Sequence, residues 1–175
     1  NESATLMITV SNVIKKFGKL AALDDVSIDC KSTECIALIG PNGSGKTTLI
    51  KSILGMVVPD KGTILFNERN IANDWTYRSQ IGYMPQIGRY PENMTIGQVF
   101  EMMKSIRKDD DTQLDEELYV EFGLDKLSDK RMGTLSGGTR QKVSATLAFM
   151  FNPDVLILDE PTAGLDPVSS EILKE

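Results

Sequence analysis

Eight residues from Gly40 to Thr47, together with the segments on either side, restrict the possible folds more than any other part of the chain. Cys35 to Ile39, which precedes them, is a continuous apolar run typical of a strand buried on both faces of a parallel sheet. Thr48 to Leu54, which follows, has a helical pattern, and Gly55 stands where the end of a helix favours glycine. A strand, a glycine-rich loop and a helix in this order predict an α/β domain.

The remaining strand signals fall into two groups. Val155 to Leu158 is a second fully apolar run and predicts a second buried parallel strand, and shorter strands are predicted at Thr63 to Phe66 and Ile81 to Met84. Residues 6–10 and 26–30 instead have a period of two, with a polar turn over residues 15–19 between them. This second pattern predicts an N-terminal antiparallel sheet beside a mostly parallel one.

The middle of the chain has helical signals. Thr95 is a suitable N-cap for a helix that runs to about Ile106. Thr112, with Asp115 three residues later, resembles a capping box for a helix that stops at Gly123. These signals predict two helices between the early strands and the second apolar run.

One further helix is predicted over residues 139–151, closed by Pro153. Because the two helices predicted before it lie within residues 88–135, that segment has the character of a helical insertion with acidic loops. The acidic run Asp109 to Asp111 belongs to this insertion, and such a run is typical of a solvated surface.

Composition excludes several classes of protein. The 175 residues are 41% hydrophobic and 25% charged, which is ordinary for one folded domain and not for a disordered chain. No apolar run approaches the length of a membrane span, and no secretory signal precedes the first strand. Two cysteines are too few for a disulfide scaffold, which favours a reduced cytoplasmic setting.

Two features of the composition restrict the possible chemistry and partners of the chain. The chain contains no histidine, which excludes histidine-based metal sites and Ser-His-Asp triads. The formal net charge is −6, which disfavours a broad basic surface for nucleic acid.

The glycine-rich stretch GPNGSGKT fits the phosphate-binding loop pattern of glycine, four residues, glycine, lysine and then serine or threonine. Glycines let successive backbone N–H groups point at anionic oxygens, and the following helix adds its positive N-terminal end. Lys46 is placed to reach the β- and γ-phosphates, and Thr47 offers a hydroxyl to Mg²⁺. The alternative is a chance glycine-rich turn, which the strand before and the helix after disfavour.

A pair of carboxylates follows the second apolar run. Asp159 at the end of that strand fits the carboxylate that organises Mg²⁺ in phosphate-loop enzymes. Glu160, one residue further, is placed to polarise an attacking water as a general base or to orient it. Two surface turn carboxylates are the alternative, and the phosphate loop in the same chain favours the functional interpretation.

A third motif, LSGGTRQK, opens the helix predicted after residue 135. Ser136 has the character of an N-cap, and Gly137 and Gly138 expose backbone N–H groups at a helix N-terminus, which suits an anion. A flexible loop with an ordinary cap would be the better interpretation if this motif stood alone.

The motifs occur in one order, and in that order they resemble the nucleotide-binding domain of ATP-binding-cassette (ABC) transporters over essentially the whole chain: GPNGSGKTT, Gln86, LSGGTRQK, VLILDEP and then Gly164 to Pro167. The resemblance implies an α/β phosphate-loop NTPase of the RecA-like type with a mostly parallel sheet, an N-terminal antiparallel β subdomain and a helical insertion. Residues 1–175 would then be a single ABC-type ATP-binding domain. Its α/β core with the β subdomain would be residues 1–87 and 152–175, and its helical subdomain residues 88–151.

The resemblance also implies ATP and Mg²⁺ as cofactors and suggests which residues meet them. The implied ATP contacts are Phe17, Ala22, Asn42, Gly43, Ser44, Gly45, Lys46, Thr47, Thr48, Ser136, Gly137 and Gly138. The implied Mg²⁺ contacts are Thr47, Gln86 and Asp159, and the implied catalytic residues are Glu160, Lys46 and Gln86. Phe17 matches an aromatic that stacks on adenine, with a core aromatic as the alternative, and Thr139 departs from the glutamine that is usual there.

A mechanism follows from the resemblance. Two such domains, as a homodimer or heterodimer, would enclose two ATP molecules head to tail, each completed by the other subunit's Ser136 and Gly138. Asp166 matches a loop that crosses this interface. A transmembrane permease subunit would dock near Gln86 and residues 90–95, which places the protein on the cytoplasmic inner face of the membrane, without nucleic acid as a partner.

The family's usual γ-phosphate histidine has no counterpart in this sequence. We therefore expect a truncated form of a longer protein that binds ATP and hydrolyses it poorly. Three alternatives remain at this point: a non-transport ABC ATPase of DNA repair or translation, a GTPase, and a regulatory ATP-binding module without hydrolysis. The short segment between Thr47 and Ser136 disfavours the repair type, the lack of an Asn-Lys-x-Asp motif disfavours a GTPase, and Glu160 disfavours the regulatory module.

Overall fold

The computed structural model describes residues 5–107, 114–161 and 165–172. The chain divides into two compact units, Asn1–Arg78 and Ser79–Glu175. Of the predicted features, the acidic run Asp109 to Asp111, the proposed cap Thr112 and Gly164 lie outside the described residues.

The first unit contains a four-stranded antiparallel sheet in the order β2-β1-β3-β4. Its strands are β1 (Leu6–Phe17), β2 (Leu20–Lys31), β3 (Lys61–Phe66) and β4 (Arg69–Asn70). The period-two pattern predicted this sheet, because alternate side chains of β1 such as Ile8 and Val10 are buried. The turn is shorter than predicted, since Phe17 pairs with Leu20 and only two residues lie between the strands.

Helix α1 (Lys46–Ile53) completes the first unit and contacts β2. Its apolar side buries Leu49, Ile50 and Ile53, which is the amphipathic pattern expected of a helix on a sheet. The helix ends at Leu54, and Gly55 follows with φ of +65°, as the sequence predicted.

The prediction of a strand at Cys35 to Ile39 is wrong. Residues 34–41 have no regular secondary structure, and Ile39 is 93% exposed. The apolar run reports only the hydrophobicity of its side chains, whereas a strand also needs a neighbouring backbone to pair with. None of the described strands pairs with this segment.

The second unit contains two parallel strands, β5 (Ile81–Met84) and β6 (Val155–Leu158), paired from Ile81 with Val155 to Met84 with Leu158. Both strands were predicted at these bounds. Burial on both faces was wrong for β6, because its side chains are only partly covered and Leu156 is 39% exposed. The strand has a described partner on one side only, which leaves its other side more open.

In the part of the unit that the structure describes, four α-helices accompany these strands: α2 (Ile96–Ile106), α3 (Glu117–Glu121), α4 (Gly137–Phe149) and α5 (Pro167–Ile172). The first confirms the predicted start, because the Thr95 hydroxyl accepts from the Gln98 N–H and the Gln98 side chain accepts from the Thr95 N–H. Helix α3 begins later than predicted, with the Asp115 carboxylate accepting from the Glu117 N–H, and Gly123 follows its end as predicted.

The helices of the second unit pack around one apolar cluster. Its most deeply buried members are Met84, Ile96, Val99, Leu124, Met132, Val143, Ala145 and Met150. Helix α4 contributes to this cluster and also lies against β5. No helix among the described residues combines the length and the apolar character that a bilayer span requires.

Candidate functional site

The glycine-rich loop in the first unit has the backbone that its sequence predicted. Gly43 and Gly45 have φ of +83° and +92°, a region that other residues avoid. Gly45 is also the N-cap of α1, and a Cβ atom there would overlap the backbone carbonyl oxygen of Ala22. Both the conformation and the close approach therefore require glycine at position 45.

The beginning of α1 offers an anion site of the kind that helix N-termini provide. No side-chain cap hydrogen bond occupies it, and no acidic residue lies in its first turn. Asn42, Gly43 and Ser44 of the preceding loop are exposed. The exposed loop backbone and the positive end of the helix dipole together favour a phosphate.

Lys46 is folded back across its own loop. Its Nζ donates to the carbonyl oxygens of Gly40 at 2.7 Å and Pro41 at 3.0 Å. The ammonium therefore lies directly beside the loop that would hold a phosphate. Thr47 and Thr48 continue the first turn of the helix, and the Thr48 carbonyl accepts from the Ser52 hydroxyl.

Ala22 and Phe17 differ in their relation to this loop. The carbonyl of Ala22 lies against Gly45, which places β2 directly beside the loop. Phe17 ends β1 with 50% of its surface exposed, and the Lys15 Nζ lies 5.5 Å from its ring centroid. The alternative of a buried core aromatic is therefore wrong for Phe17, and its ring is accessible for stacking.

The second unit brings Gln86 and Glu160 together. They follow β5 and β6 in the chain, and parallel strands present their carboxyl ends at the same edge of a sheet. The Asp159 N–H donates to the Met84 carbonyl at 2.9 Å and extends the pairing by one step. The Gln86 Nε2 then donates to the Glu160 Oε2 at 2.7 Å.

Asp159 and Glu160 have different surroundings although they are adjacent. Asp159 is 7% exposed, whereas Glu160 is exposed. Glu160 also has a left-handed φ of +53°, which costs a non-glycine residue about 1 to 2 kcal/mol. Such strained backbone is concentrated at functional sites.

The oxygen ligands available here fit magnesium. Asp159 supplies a carboxylate and Gln86 an amide oxygen, and Mg²⁺ prefers one or two such ligands together with water and phosphate oxygens. No group of three or more His, Cys, Asp or Glu side chains suited to a metal occurs among the described residues.

Helix α4 begins at the third motif. Ser136 is its N-cap, and the Ser136 Oγ accepts from the Thr139 N–H at 3.1 Å. The Thr139 hydroxyl lies 2.9 Å from the same Oγ, so this residue reinforces the cap. Ser136 and Gly137 are exposed, and nothing lies within 4 Å of a Cβ placed on Gly137. This helix N-terminus is therefore open to a ligand.

Asp166 caps the short helix α5 and is tied to α4. Its carboxylate accepts from the Ser169 hydroxyl at 2.7 Å and N–H at 3.0 Å, and the Lys142 Nζ lies 3.3 Å away. The Ser169 hydroxyl, followed by the Ser169 N–H and Lys142, holds the pKa of Asp166 well below its usual range.

Sequence reasoning missed the partners that secure these segments, namely Lys142 for Asp166 and Ser144 for Tyr90. The Tyr90 hydroxyl lies 2.9 Å from the Ser144 Oγ, although the two residues are 54 positions apart. Both Lys142 and Ser144 belong to α4. A spacing along one helix gives no signal of which distant loop it will contact.

Each unit therefore contains residues typical of nucleotide chemistry. The first has a glycine-rich loop that opens a helix, and the second has Gln86, Asp159 and Glu160 at the carboxyl ends of parallel strands. With its α/β architecture, this combination defines a phosphate-loop nucleotide-binding domain.

Comparison with known proteins gives the family. The family model described as ABC transporter matches residues 23–163. That match covers most of the chain, and the chain belongs to the ABC transporter family.

Relatives and solved structures agree with this assignment. The chain is 37% identical over 163 residues to the sulfate/thiosulfate import ATP-binding protein CysA of Nocardia farcinica, covering 91% of this chain and 49% of the relative. It is 33% identical over 176 residues to the lipopolysaccharide export system ATP-binding protein LptB of Haemophilus influenzae, covering 97% and 73%. A solved ATP-binding subunit of an ABC transporter has a TM-score of 0.86 at 31% identity, covering 95% of this chain and 71% of that one.

The chain thus spans about half the length of one curated relative and about three quarters of another. The shared portion contains the phosphate loop and the motif residues through Glu160.

Proposed function

We propose that this chain is the ATP-binding and ATP-hydrolysing part of an ABC transporter. The observation that carries the proposal is the hydrogen bond from the Gln86 Nε2 to the Glu160 Oε2, beside the buried Asp159. This bond joins a carboxylate that follows β6 to a glutamine that follows β5, a contact that an isolated surface turn would not need.

The phosphate loop would hold the phosphates of ATP. Backbone N–H groups of residues 42–48 and the N-terminus of α1 would meet the oxygens, and Lys46 would exchange its two loop carbonyls for the β- and γ-phosphates. The exposed ring of Phe17 would stack on adenine, with Ala22 close to the loop.

The second unit would supply the hydrolytic groups. Asp159 and Gln86, with the Thr47 hydroxyl, are the residues that would hold Mg²⁺, which when bound neutralises charge on the β- and γ-phosphates. Glu160 would accept a proton from the attacking water, and the Gln86 amide would orient it. To bind there, the water must displace the hydrogen bond between Gln86 and Glu160 and take the place of one of the two side chains as partner of the other.

Two copies would act together. The open N-terminus of α4, with Ser136, Gly137 and Gly138, would bind the γ-phosphate held by a second nucleotide-binding domain. Asp166, fixed on α4 through Lys142, would lie at that interface. A transmembrane permease subunit near Gln86 and residues 90–95 would place the assembly at the inner face of the membrane.

This 175-residue chain, tested by itself, should bind ATP and hydrolyse it slowly. The chain has no histidine, and the resemblance assigns one to the γ-phosphate. Glu160 and Lys46 remain, so turnover should be low but measurable.

Substitution of Glu160→Gln tests the proposal. Hydrolysis of radiolabelled ATP with protein in excess should fall by at least about 100-fold, because a positioned general base contributes that much or more. Binding of a fluorescent ATP analogue should stay within about twofold, since the phosphate loop is unchanged.

Asp154→Asn is the matched control, because it removes a charge at the amino end of the same strand β6 and should leave hydrolysis unchanged. A wild-type chain that neither binds nor hydrolyses ATP would refute the proposal. Equal hydrolysis by the Glu160→Gln variant would refute the role of Glu160.

A further inference from the structure

The segment that follows Gln86 packs against helix α4. Gly88 lies directly over Ser144, where a Cβ atom on the glycine would overlap the Ser144 Oγ. The same Cβ would lie 2.7 Å from a ring carbon of Tyr90. The Gly88 backbone therefore lies between the Ser144 side chain and the Tyr90 ring, and a larger residue at position 88 would have to displace them.

A partly buried pair of hydroxyls joins this segment to α4. The Tyr90 hydroxyl and the Ser144 Oγ are 2.9 Å apart, and Ser144 is 1% exposed. The Tyr90 ring packs against the apolar cluster of the second unit, and burial raises the pKa of its hydroxyl. Removing either hydroxyl would leave the other without this bond, which destabilises the contact between the two segments.

The contact between Gly88 and α4 limits how far the Gln86 backbone can move. Two residues of extended chain span at most about 7 Å, so Gln86 cannot move far while Gly88 stays on α4. On its other side, Gln86 follows β5, whose pairing with β6 places it beside Glu160. The Gln86 backbone is thus held from both directions.

We infer that Tyr90 and Ser144 are positioning residues for Gln86, holding the segment after β5 on α4 so that the Gln86 amide meets Glu160. Neither touches the reacting atoms. Their effect on hydrolysis rests on the proposed function, whereas their effect on the contact between Gln86 and Glu160 does not.

The first experiment measures that contact directly, without nucleotide. The side-chain amide protons of Gln86 are followed by NMR in the wild-type chain, in Tyr90→Phe and in Ser144→Ala, with Glu160→Ala as the reference for a broken bond. Both variants should move the Gln86 resonance towards its position in Glu160→Ala. Tyr119→Phe, a tyrosine of the same unit whose ring packs on Phe100, is the matched control and should not.

A Gln86 resonance that stays at its wild-type position in both folded variants would overturn the inference. Circular dichroism establishes that they are folded. Tyr90→Phe keeps the ring and Ser144→Ala suits a helix, so the two variants test the same bond from opposite sides.

The second experiment measures ATP hydrolysis. Tyr90→Phe should lower kcat by about 3- to 10-fold, the equivalent of one hydrogen bond, and raise the Mg²⁺ concentration needed for half-maximal rate. KM for ATP should stay within about twofold, because the residues of the phosphate loop are unchanged.

The double variant Tyr90→Phe with Gln86→Ala decides between positioning and general stabilisation. If Tyr90 acts through Gln86, adding Tyr90→Phe to Gln86→Ala should lower kcat no further. Full additivity would overturn the inference. A wild-type chain without hydrolysis would defeat the proposed function, and the NMR measurement would still decide this inference.

Discussion

The phosphate loop of the first unit and the Gln86–Glu160 pair of the second unit are built in opposite ways. In the loop, Lys46 donates to Gly40 only six positions away, and two positive φ angles shape the backbone between them. Gln86 and Glu160 are 74 positions apart and meet because two strands pair in parallel. The loop is a local structure, and the pair is a product of sheet register.

This difference predicts how each region fails. Local backbone geometry is sensitive to the residue that adopts it, and its damage should remain near the loop. A pair held by strand register depends on everything that aligns β5 with β6, including residues far from either side chain. Substitutions at glycines with contrasting surroundings can separate these two kinds of dependence.

The largest effect is expected for Gly45→Ala in the first unit. The new side chain would have to adopt a φ of +92° and displace the Ala22 carbonyl, for about 2 to 5 kcal/mol of strain and overpacking. Affinity for a fluorescent ATP analogue should fall by at least about 30-fold.

Gly43→Ala is the control for space, because φ is +83° there and nothing lies within 4 Å of the added Cβ. Its cost should be the backbone strain alone, with a loss of about tenfold. Equal losses for the two variants would show that close approach to Ala22 is unimportant. In both, the Gln86 side-chain amide resonance should stay at its wild-type position.

A smaller effect on ATP binding, but a clear one on stability, is expected for Gly82→Ala in β5. A Cβ atom there would overlap the Ala148 carbonyl of α4 and lie 2.8 Å from the Leu156 side chain of β6. Urea unfolding followed by signals of the second unit should show about 1 to 3 kcal/mol of destabilisation. The Gln86 resonance should shift, since β5 aligns that residue.

Gly97→Ala in α2 is the matched control, because its Cβ would only reach ordinary contact with Ser128 at 3.4 Å. Alanine suits a helix, so stability should be unchanged or higher by up to about 1 kcal/mol. An unchanged Gln86 resonance in Gly82→Ala would contradict the view that strand register brings the pair together.

The smallest effect is expected in the response to acid, for which one carboxylate with a lowered pKa is compared from each unit, Asp60 and Asp166. The backbone N–H of Lys16, then the Lys15 ammonium, lowers the pKa of Asp60, and the Ser169 hydroxyl is the main cause at Asp166. A lowered pKa in the folded state stabilises the fold above the unfolded value of about 4, and this contribution is lost as the pH falls below it.

NMR titration of the amide protons that donate to these carboxylates measures both pKa values. The Ser169 and Lys16 N–H signals should titrate below pH 4 in the wild-type chain. Ser169→Ala should raise the pKa of Asp166 more than Lys142→Met does, and should leave that of Asp60 unchanged. A larger shift from Lys142→Met would mean that the ion pair with α4 outweighs the cap.

Features that depend on neighbouring residues were predictable from the sequence. The glycine-rich loop, the Thr95 cap of α2 and the end of α1 at Gly55 all follow from side chains or backbone within a few positions. The bounds of β5 and β6 were also predictable, because both runs are short and bordered by polar residues or proline.

Features that depend on a distant partner were not predictable from the sequence. The apolar run at Cys35 to Ile39 predicted a buried strand, and it is exposed because no described strand pairs with it. No sequence signal predicted the contact of Gly88 and Tyr90 with Ser144, since a serine on a helix face does not specify which loop it will contact.

The sequence by itself determined the family of this protein and the chemistry of its candidate site, because motifs such as GPNGSGKT restrict backbone conformation and functional groups within a few residues. The tertiary structure alone decided that Gln86 donates to Glu160 and that α4 holds both the segment after Gln86 and Asp166. These contacts arise from strand pairing and helix packing over long separations, and the free energy that selects them belongs to the whole unit.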